Sequence, residues 1–219
     1  MKAHALRLVA FVVFPGLMAA SAFAGPIAVN NGNFSTLPVS GLNIFNPLGN
    51  YSDGAGIPGW NTSLNYSDSG QWDPSGIVLG VPAGSTYIAY SNGGIISQTV
   101  TPTVVVGAVY TLTVELGDRT DYPSMGGADL LIDGVAYDAT GTLTPGGWST
   151  FTATYTGLAG DIGDAITIQL TSSGDQGDFA DVTLSGPAST AVTPEPGTFY
   201  LAGLGLLCAC GYSLRKSVA

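Results

Sequence analysis

The chain predicts an all-β fold, a single antiparallel β-sandwich of the jelly-roll kind, with an N-terminal signal peptide before it and a C-terminal transmembrane helix after it. Three observations carry that expectation. Eight segments (86–90, 95–100, 109–115, 129–132, 135–137, 150–155, 165–171 and 179–184) are of strand length and rich in β-branched and aromatic residues. Gly, Pro, Asn, Asp and Ser fill the gaps between them, and no stretch keeps a helical period. Apolar runs flanked by basic residues stand at both ends of the chain.

Taken in order, residues 1–24 read as a signal peptide. Lys2 and Arg7 give a positive start, 8–18 an apolar stretch, and Ala22-Phe23-Ala24 a small-x-small cleavage site, so that the mature chain begins at Gly25. Residues 25–187 form the sandwich. Within it Tyr110-Thr111-Leu112-Thr113-Val114-Glu115-Leu116 puts aliphatics on one face and hydroxyls with an acid on the other, as a strand with one wet side should. Asp133-Gly134, between two short apolar runs, predicts a two-residue hairpin turn, where Gly tolerates the positive φ that a type I′ geometry demands. Residues 188–198 are a Pro-punctuated linker, and 199–219 are an apolar tail closing on Arg215-Lys216.

Composition then removes whole classes of chemistry. From Gly25 to Val192 there are thirteen Asp and one Glu against a single basic side chain, Arg119, which leaves a formal charge near −13. Nucleic acid and anionic lipid need Lys and Arg clusters that this stretch lacks. It also holds no His, Cys or Lys. Ser-His-Asp and Cys-His relays, His/Cys zinc sites, Schiff-base lysines and structural disulfides are therefore excluded there. Carboxylate chemistry and oxygen-ligand cation binding survive.

The candidate residues follow from what remains. Trp60 and Trp148 read as core, whereas Trp72 stands in the polar stretch Ser67-Asp68-Ser69-Gly70-Gln71-Trp72-Asp73 and predicts an aromatic platform. With Asp73 and Tyr66 it is the expected ligand-binding set. Gly160-Asp161-Ile162-Gly163-Asp164 and Gly174-Asp175-Gln176-Gly177-Asp178 share one pattern and read as turns. Asp118-Arg119-Thr120-Asp121 reads as a solvated loop with an internal ion pair. For a carboxylate-only enzyme, Glu115 with Asp118 or Asp129 is the pair to inspect.

Two resemblances add to this reading. Thr193-Pro194-Glu195-Pro196-Gly197, the apolar run and the basic terminus together resemble the PEP-CTERM sorting signal. That resemblance implies recognition of Pro194, Glu195, Pro196 and Gly197 by an exosortase, brief anchoring in the inner membrane, and release to the cell surface or extracellular matrix. Asn31-Gly32-Asn33-Phe34, Ile57-Pro58-Gly59-Trp60, Ile96-Ser97-Gln98-Thr99, Tyr110-Thr111-Leu112 and Phe179-Ala180-Asp181-Val182-Thr183-Leu184 resemble, in that order, galactose-binding-like carbohydrate-binding modules. That implies a non-enzymatic protein that binds extracellular polysaccharide, and a structural Ca²⁺ for which Asp181 is the best candidate. The alternatives are a carboxylate-only glycosidase or polysaccharide lyase, and a purely structural envelope protein.

Overall fold

The computed structural model describes residues 24–63, 69–124 and 126–188. The signal peptide, the sorting motif Pro194, Glu195, Pro196 and Gly197, the apolar tail and Tyr66 lie outside the described residues. Twelve strands follow in chain order: β1 (Ala24–Ile27), β2 (Gly49–Tyr51), β3 (Asn61–Thr62), β4 (Ser69–Pro74), β5 (Ile88–Asn92), β6 (Ile95–Thr103), β7 (Val109–Gly117), β8 (Gly126–Ile132), β9 (Val135–Asp138), β10 (Trp148–Thr156), β11 (Ala165–Ser172) and β12 (Gln176–Pro187). The larger sheet runs β10-β7-β12-β5-β4-β2, with β1 paired to β12, and the smaller runs β3-β6-β11-β8-β9.

Alternation along the strands builds the main core between these sheets. Leu112, Val114 and Leu116 of β7 meet Ile166, Ile168 and Leu170 of β11 and Leu130 of β8, all fully buried. Each such side chain contributes roughly 1.5–3 kcal/mol when taken out of water. The β8–β9 hairpin turns at Asp133 (φ 46°) and Gly134 (φ 84°), so both central residues are left-handed, as a primed turn requires.

Each of the eight predicted segments overlaps a strand, but the predicted jelly-roll sandwich is corrected to a two-sheet domain of different build, and the predicted membrane helix lies outside the described residues. Two sheets of seven and five strands are present, and the larger is apolar on both faces over part of its area. On the face away from the main core, Trp72, Val78, Leu79, Ile88, Tyr90 and Ala180 form a second buried cluster, with Leu48, Tyr51 and Trp148 packed against it. The physical reason lies in the connection before β5, whose Val78 and Leu79 pack on this face, so that both sides of β4 and β5 are buried. Among the described residues, no helix is long and apolar enough to cross a membrane.

Two local devices make that second layer possible. Gly70 lets the chain after β2 lie on the sheet, since a Cβ there would stand 1.9 Å from the Ser52 carbonyl oxygen. In β12 a bulge between Ala180 and Thr183, with Asp181 at φ 45°, shifts the pairing with β7. It turns Phe179, Val182 and Leu184 into the main core while Ala180 faces the second cluster. Gly70→Ala is therefore expected to lower unfolding stability by about 2 kcal/mol or more, whereas Gly160→Ala, with open space around it, changes it by less than about 0.5 kcal/mol, as urea denaturation will show.

Candidate functional site

The second layer leaves an open cleft of about 280 Å³ at the end of the larger sheet. Tyr51 comes from β2, Trp72 from β4, Tyr90 from β5 and Gln176 from the start of β12; Arg119 and Tyr122 come from the loop after β7. Asp53 also lines it. The volume sits at the lower end of the range for small-molecule sites, and the mixture of aromatic walls with a few polar groups is what such sites require. Tyr51 and Tyr90 meet edge to face at 6.1 Å, and the Tyr90 hydroxyl donates to the Ser52 carbonyl at 2.8 Å, which fixes this wall.

Arg119 lies across the floor. Its guanidinium is 5.0 Å from the Trp72 ring centroid and 5.3 Å from that of Tyr122. Nε and Nη2 donate to the two oxygens of Asp121 at 2.9 and 2.7 Å, and Nη1 donates to Gln176 Oε1 at 2.8 Å. The guanidinium bond holds the Asp121 carboxyl below the usual carboxylate range. The expected ion pair thus exists, but its setting is corrected: the Arg119 side chain is only 9% exposed, because two rings enclose it.

Behind Gln176 stands Asp178. Its residue is 1% exposed, Gln176 Nε2 donates to its Oδ1 at 2.7 Å, and its Oδ2 has no hydrogen-bond partner among the described residues. Burial pushes this carboxyl up to about 7, against the opposing pull of the Gln176 hydrogen bond and the Arg119 charge. The donor inventory fixes where the proton goes. Arginine only donates, so it must face the Gln176 carbonyl oxygen, which turns the amide nitrogen toward Asp178 Oδ1. Oδ1 therefore accepts, which leaves Oδ2 as the oxygen that carries the proton when the carboxyl is neutral.

The residues expected from sequence fall in different places. Trp72 belongs to the cleft, but as a buried residue of β4 rather than an exposed loop platform. Asp73, its neighbour on the same strand, points to the opposite side and is exposed, so the two do not act together. Tyr66 is outside the described residues. Asp181 sits at the β12 bulge, where its Oδ1 accepts from Ser85 Oγ at 2.8 Å. Among the described residues, no group of three or more His, Cys, Asp and Glu is placed to hold a metal ion. Glu115 accepts from Thr150 Oγ1 at 2.5 Å, Asp118 accepts from the Ser124 amide at 3.0 Å, and Asp129 is on the other sheet opposite Asp138. Asp178 and Gln176 were missed because Gly-Asp-Gln-Gly-Asp reads as a turn. The available signal was the apolar strand that begins immediately after Asp178.

Comparison with known proteins identifies the family. The chain belongs to the HpiC1-like family, whose model, described as HpiC1 cyclase, matches residues 25–185. Among solved structures it is similar to a cyclase from Fischerella sp. TAU, with a TM-score of 0.59 and 20% identity over 77% of this chain and 100% of that one. A Stig cyclase from the same organism, in complex with (3Z)-3-(1-methyl-2-pyrrolidinylidene)-3H-indole, gives 0.59 at 17% identity over 76% and 100%. An apo cyclase from Fischerella sp. gives 0.60 at 18% identity over 78% and 100%. No curated protein matches the sequence.

These matches correct the expectations drawn from resemblance. The domain is of the cyclase family and not a galactose-binding-like module, so the non-enzymatic role in extracellular polysaccharide is withdrawn. Of the phrases that suggested such a module, Ile96-Ser97-Gln98-Thr99 falls within β6, Tyr110-Thr111-Leu112 within β7 and Phe179-Ala180-Asp181-Val182-Thr183-Leu184 within β12, while the other two lie in turns that bury Phe34 and Trp60. The cyclase-family match replaces the exosortase and polysaccharide partners expected of a surface protein; the sorting motif and apolar tail, on which the inner-membrane anchor and surface destination rested, lie beyond the matched residues 25–185 and outside the described residues.

Asp178 also sets a dependence of stability on pH. Its folded-state value of about 7 lies above the unfolded value near 4, so the folded protein holds one more proton than the unfolded chain between these limits. Stability contributed by this group is complete below pH 4 and is lost as pH rises through 7. Urea melts from pH 4 to 8 are expected to show wild type losing stability relative to Asp178→Asn over this window. A constant difference would place the carboxyl at its ordinary value.

Proposed function

We propose that the cleft catalyses an acid-initiated cyclisation of a small aromatic molecule, with Asp178 as the proton donor. One observation carries this reading: a carboxyl kept neutral near pH 7, with its proton-bearing oxygen unpartnered, lies behind an aromatic cleft in a domain of a cyclase family. The family supplies the reaction class and the geometry supplies the acid.

The chemistry balances within the site. Oδ2 transfers its proton to a carbon of the substrate π-system, and that carbon forms a C–H bond while the adjacent carbon becomes cationic. An internal nucleophilic double bond closes the ring onto the cation. Loss of a proton from the ring product to the Asp178 carboxylate restores the acid, so the product is an isomer of the substrate and no oxidant or reductant is consumed. Trp72, Tyr51 and Tyr90 present π-faces that stabilise the developing positive charge. The low-dielectric setting that raises Asp178 in the resting protein also favours handing its proton back and forth at neutral pH.

Gln176 holds the acid in register. By occupying Oδ1 it leaves Oδ2 as the only oxygen that donates. Arg119 and Gln176 cover the carboxyl in this conformation, so the guanidinium must shift before a substrate carbon meets Oδ2.

Indole-bearing alkenes are the first substrates to test, since indole compounds are the ligands in two of the Fischerella structures. Asp178→Asn is expected to lower turnover at least ~100-fold, the usual worth of a positioned acid, with a melt near pH 7 no lower than that of wild type. Wild-type turnover should fall as pH rises above about 7, because only the protonated acid acts. Product identified as a mass-neutral isomer by NMR supports cyclisation. Full turnover by Asp178→Asn contradicts the assignment.

A further inference from the structure

We propose that the slot between Trp72 and Tyr122 is a seat for a planar organic cation bearing N–H donors, and that the Arg119 guanidinium is its resident occupant, displaced when such a ligand binds. This deepens the reading of the cleft as a substrate site and rests on it. Nothing in the reaction class itself calls for a cationic ligand; the call comes from what Arg119 is doing there.

Arg119 is the sole basic side chain between Gly25 and Val192, in a stretch of formal charge near −13. An arginine in that position would ordinarily reach into water. This one folds inward to 9% exposure and places its flat head between two ring faces, at 5.0 and 5.3 Å from their centroids. A guanidinium has the thickness of an aromatic ring, so the slot it fills is already shaped for a flat group. Its partners are side chains throughout: the carboxylate of Asp121 and the amide of Gln176.

The arrangement can open without breaking its strongest contact. Asp121 is two residues along the same loop and its side chain is 31% exposed. Arg119 and Asp121 swing outward as a bonded pair, which keeps the bidentate contact and removes only the ring faces and the bond to Gln176. Tyr122, 53% exposed at the mouth, is free to let the head pass.

What the emptied slot would accept follows from what Arg119 leaves behind. Gln176 Oε1 then needs a donor, because a buried amide oxygen without one is costly. The ring faces of Trp72 and Tyr122 carry negative quadrupole charge, and Asp53 lines the same cleft. No second basic residue in the domain offers an anionic ligand a counter-charge. An amidinium, a guanidinium or a protonated amino-heterocycle meets all these terms. Its N–H on Gln176 Oε1 also keeps the amide nitrogen on Asp178 Oδ1, so the proton stays on Oδ2 when the ligand is seated.

Benzamidinium and its neutral isostere benzamide test the proposal by calorimetry on the intact protein. Arg119→Ala removes the internal competitor, so it is expected to bind benzamidinium at least tenfold more tightly than wild type does, and at least tenfold more tightly than it binds benzamide. Adding Tyr122→Ala should cancel the gain. Equal affinity of wild type and Arg119→Ala, or equal affinity for the two compounds, overturns the proposal. Should Arg119→Ala be poorly folded, millimolar benzamidinium is expected to raise its melting temperature where benzamide does not, and no such difference overturns the proposal as well. Asp178→Asn keeps the two readings apart: it is expected to lose turnover while binding benzamidinium as wild type does. Loss of turnover without the Arg119→Ala gain leaves the acid standing and removes the seat; the gain with turnover retained leaves the seat and removes the acid.

Discussion

The burial of one carboxyl, Asp178, on the outer face of the larger sheet is the constraint on which the site depends. A carboxyl with one oxygen unpartnered is held there only while water is kept away, and burial raises it to about 7, so that a large share stays neutral near that pH. The cover is a second apolar layer, built from Trp72, Leu79, Tyr90 and their neighbours, which the main core does not need. Gly70 admits the backbone of Ser52 onto the sheet, and Gln176 with Arg119 completes the cover on the cleft side.

The geometry of β12 couples this layer to the core. Along one strand, Gln176, Asp178 and Ala180 face outward while Phe179 faces inward, until the bulge at Asp181 resets the phase and sends Val182 and Leu184 into the main core. One element therefore supplies the acid, the residue that orients it and a wall of the hydrophobic core. That economy makes the acid rigid, since it moves only if the central strand moves. Arg119, by contrast, is on a loop and is held by side chains alone, so the mobile member of the site is the cover and not the acid.

How much of this was legible depended on whether a signal was local. The strands of the main core were legible in residues such as Leu112, Val114 and Leu116, because one buried face writes a period of two into the sequence. The turn at Asp133-Gly134 was legible because its backbone demands those residues. β4 was not: Ser69-Gly70-Gln71-Trp72-Asp73-Pro74 reads as a polar loop, yet Gln71 is buried, its amide nitrogen bonded to the carbonyls of Phe34 and Thr36 at 2.6 and 3.0 Å. Those partners are 35 and more residues away, and no window along the chain contains them. Asp178 was hidden for the same reason, since burial on a sheet's outer face comes from a distant segment folding back. Arg119 shows the partial case, in which the pairing with Asp121 was legible from adjacency and the enclosure by Trp72 and Tyr122 was not. Resemblance misled, since the short phrases shared with carbohydrate-binding modules pointed to the wrong family.

The most direct measurement is the ¹³C titration of the aspartate carboxyl carbons, with Asp178 assigned by its loss in Asp178→Asn. A midpoint near 7 for that carbon, while Asp121 titrates below the ordinary carboxylate range, is what a buried acid covered by the Arg119–Gln176 pair predicts. A midpoint near 4 for Asp178 would mean that water reaches it, and the account of the site as a neutral acid behind an aromatic cleft would be wrong.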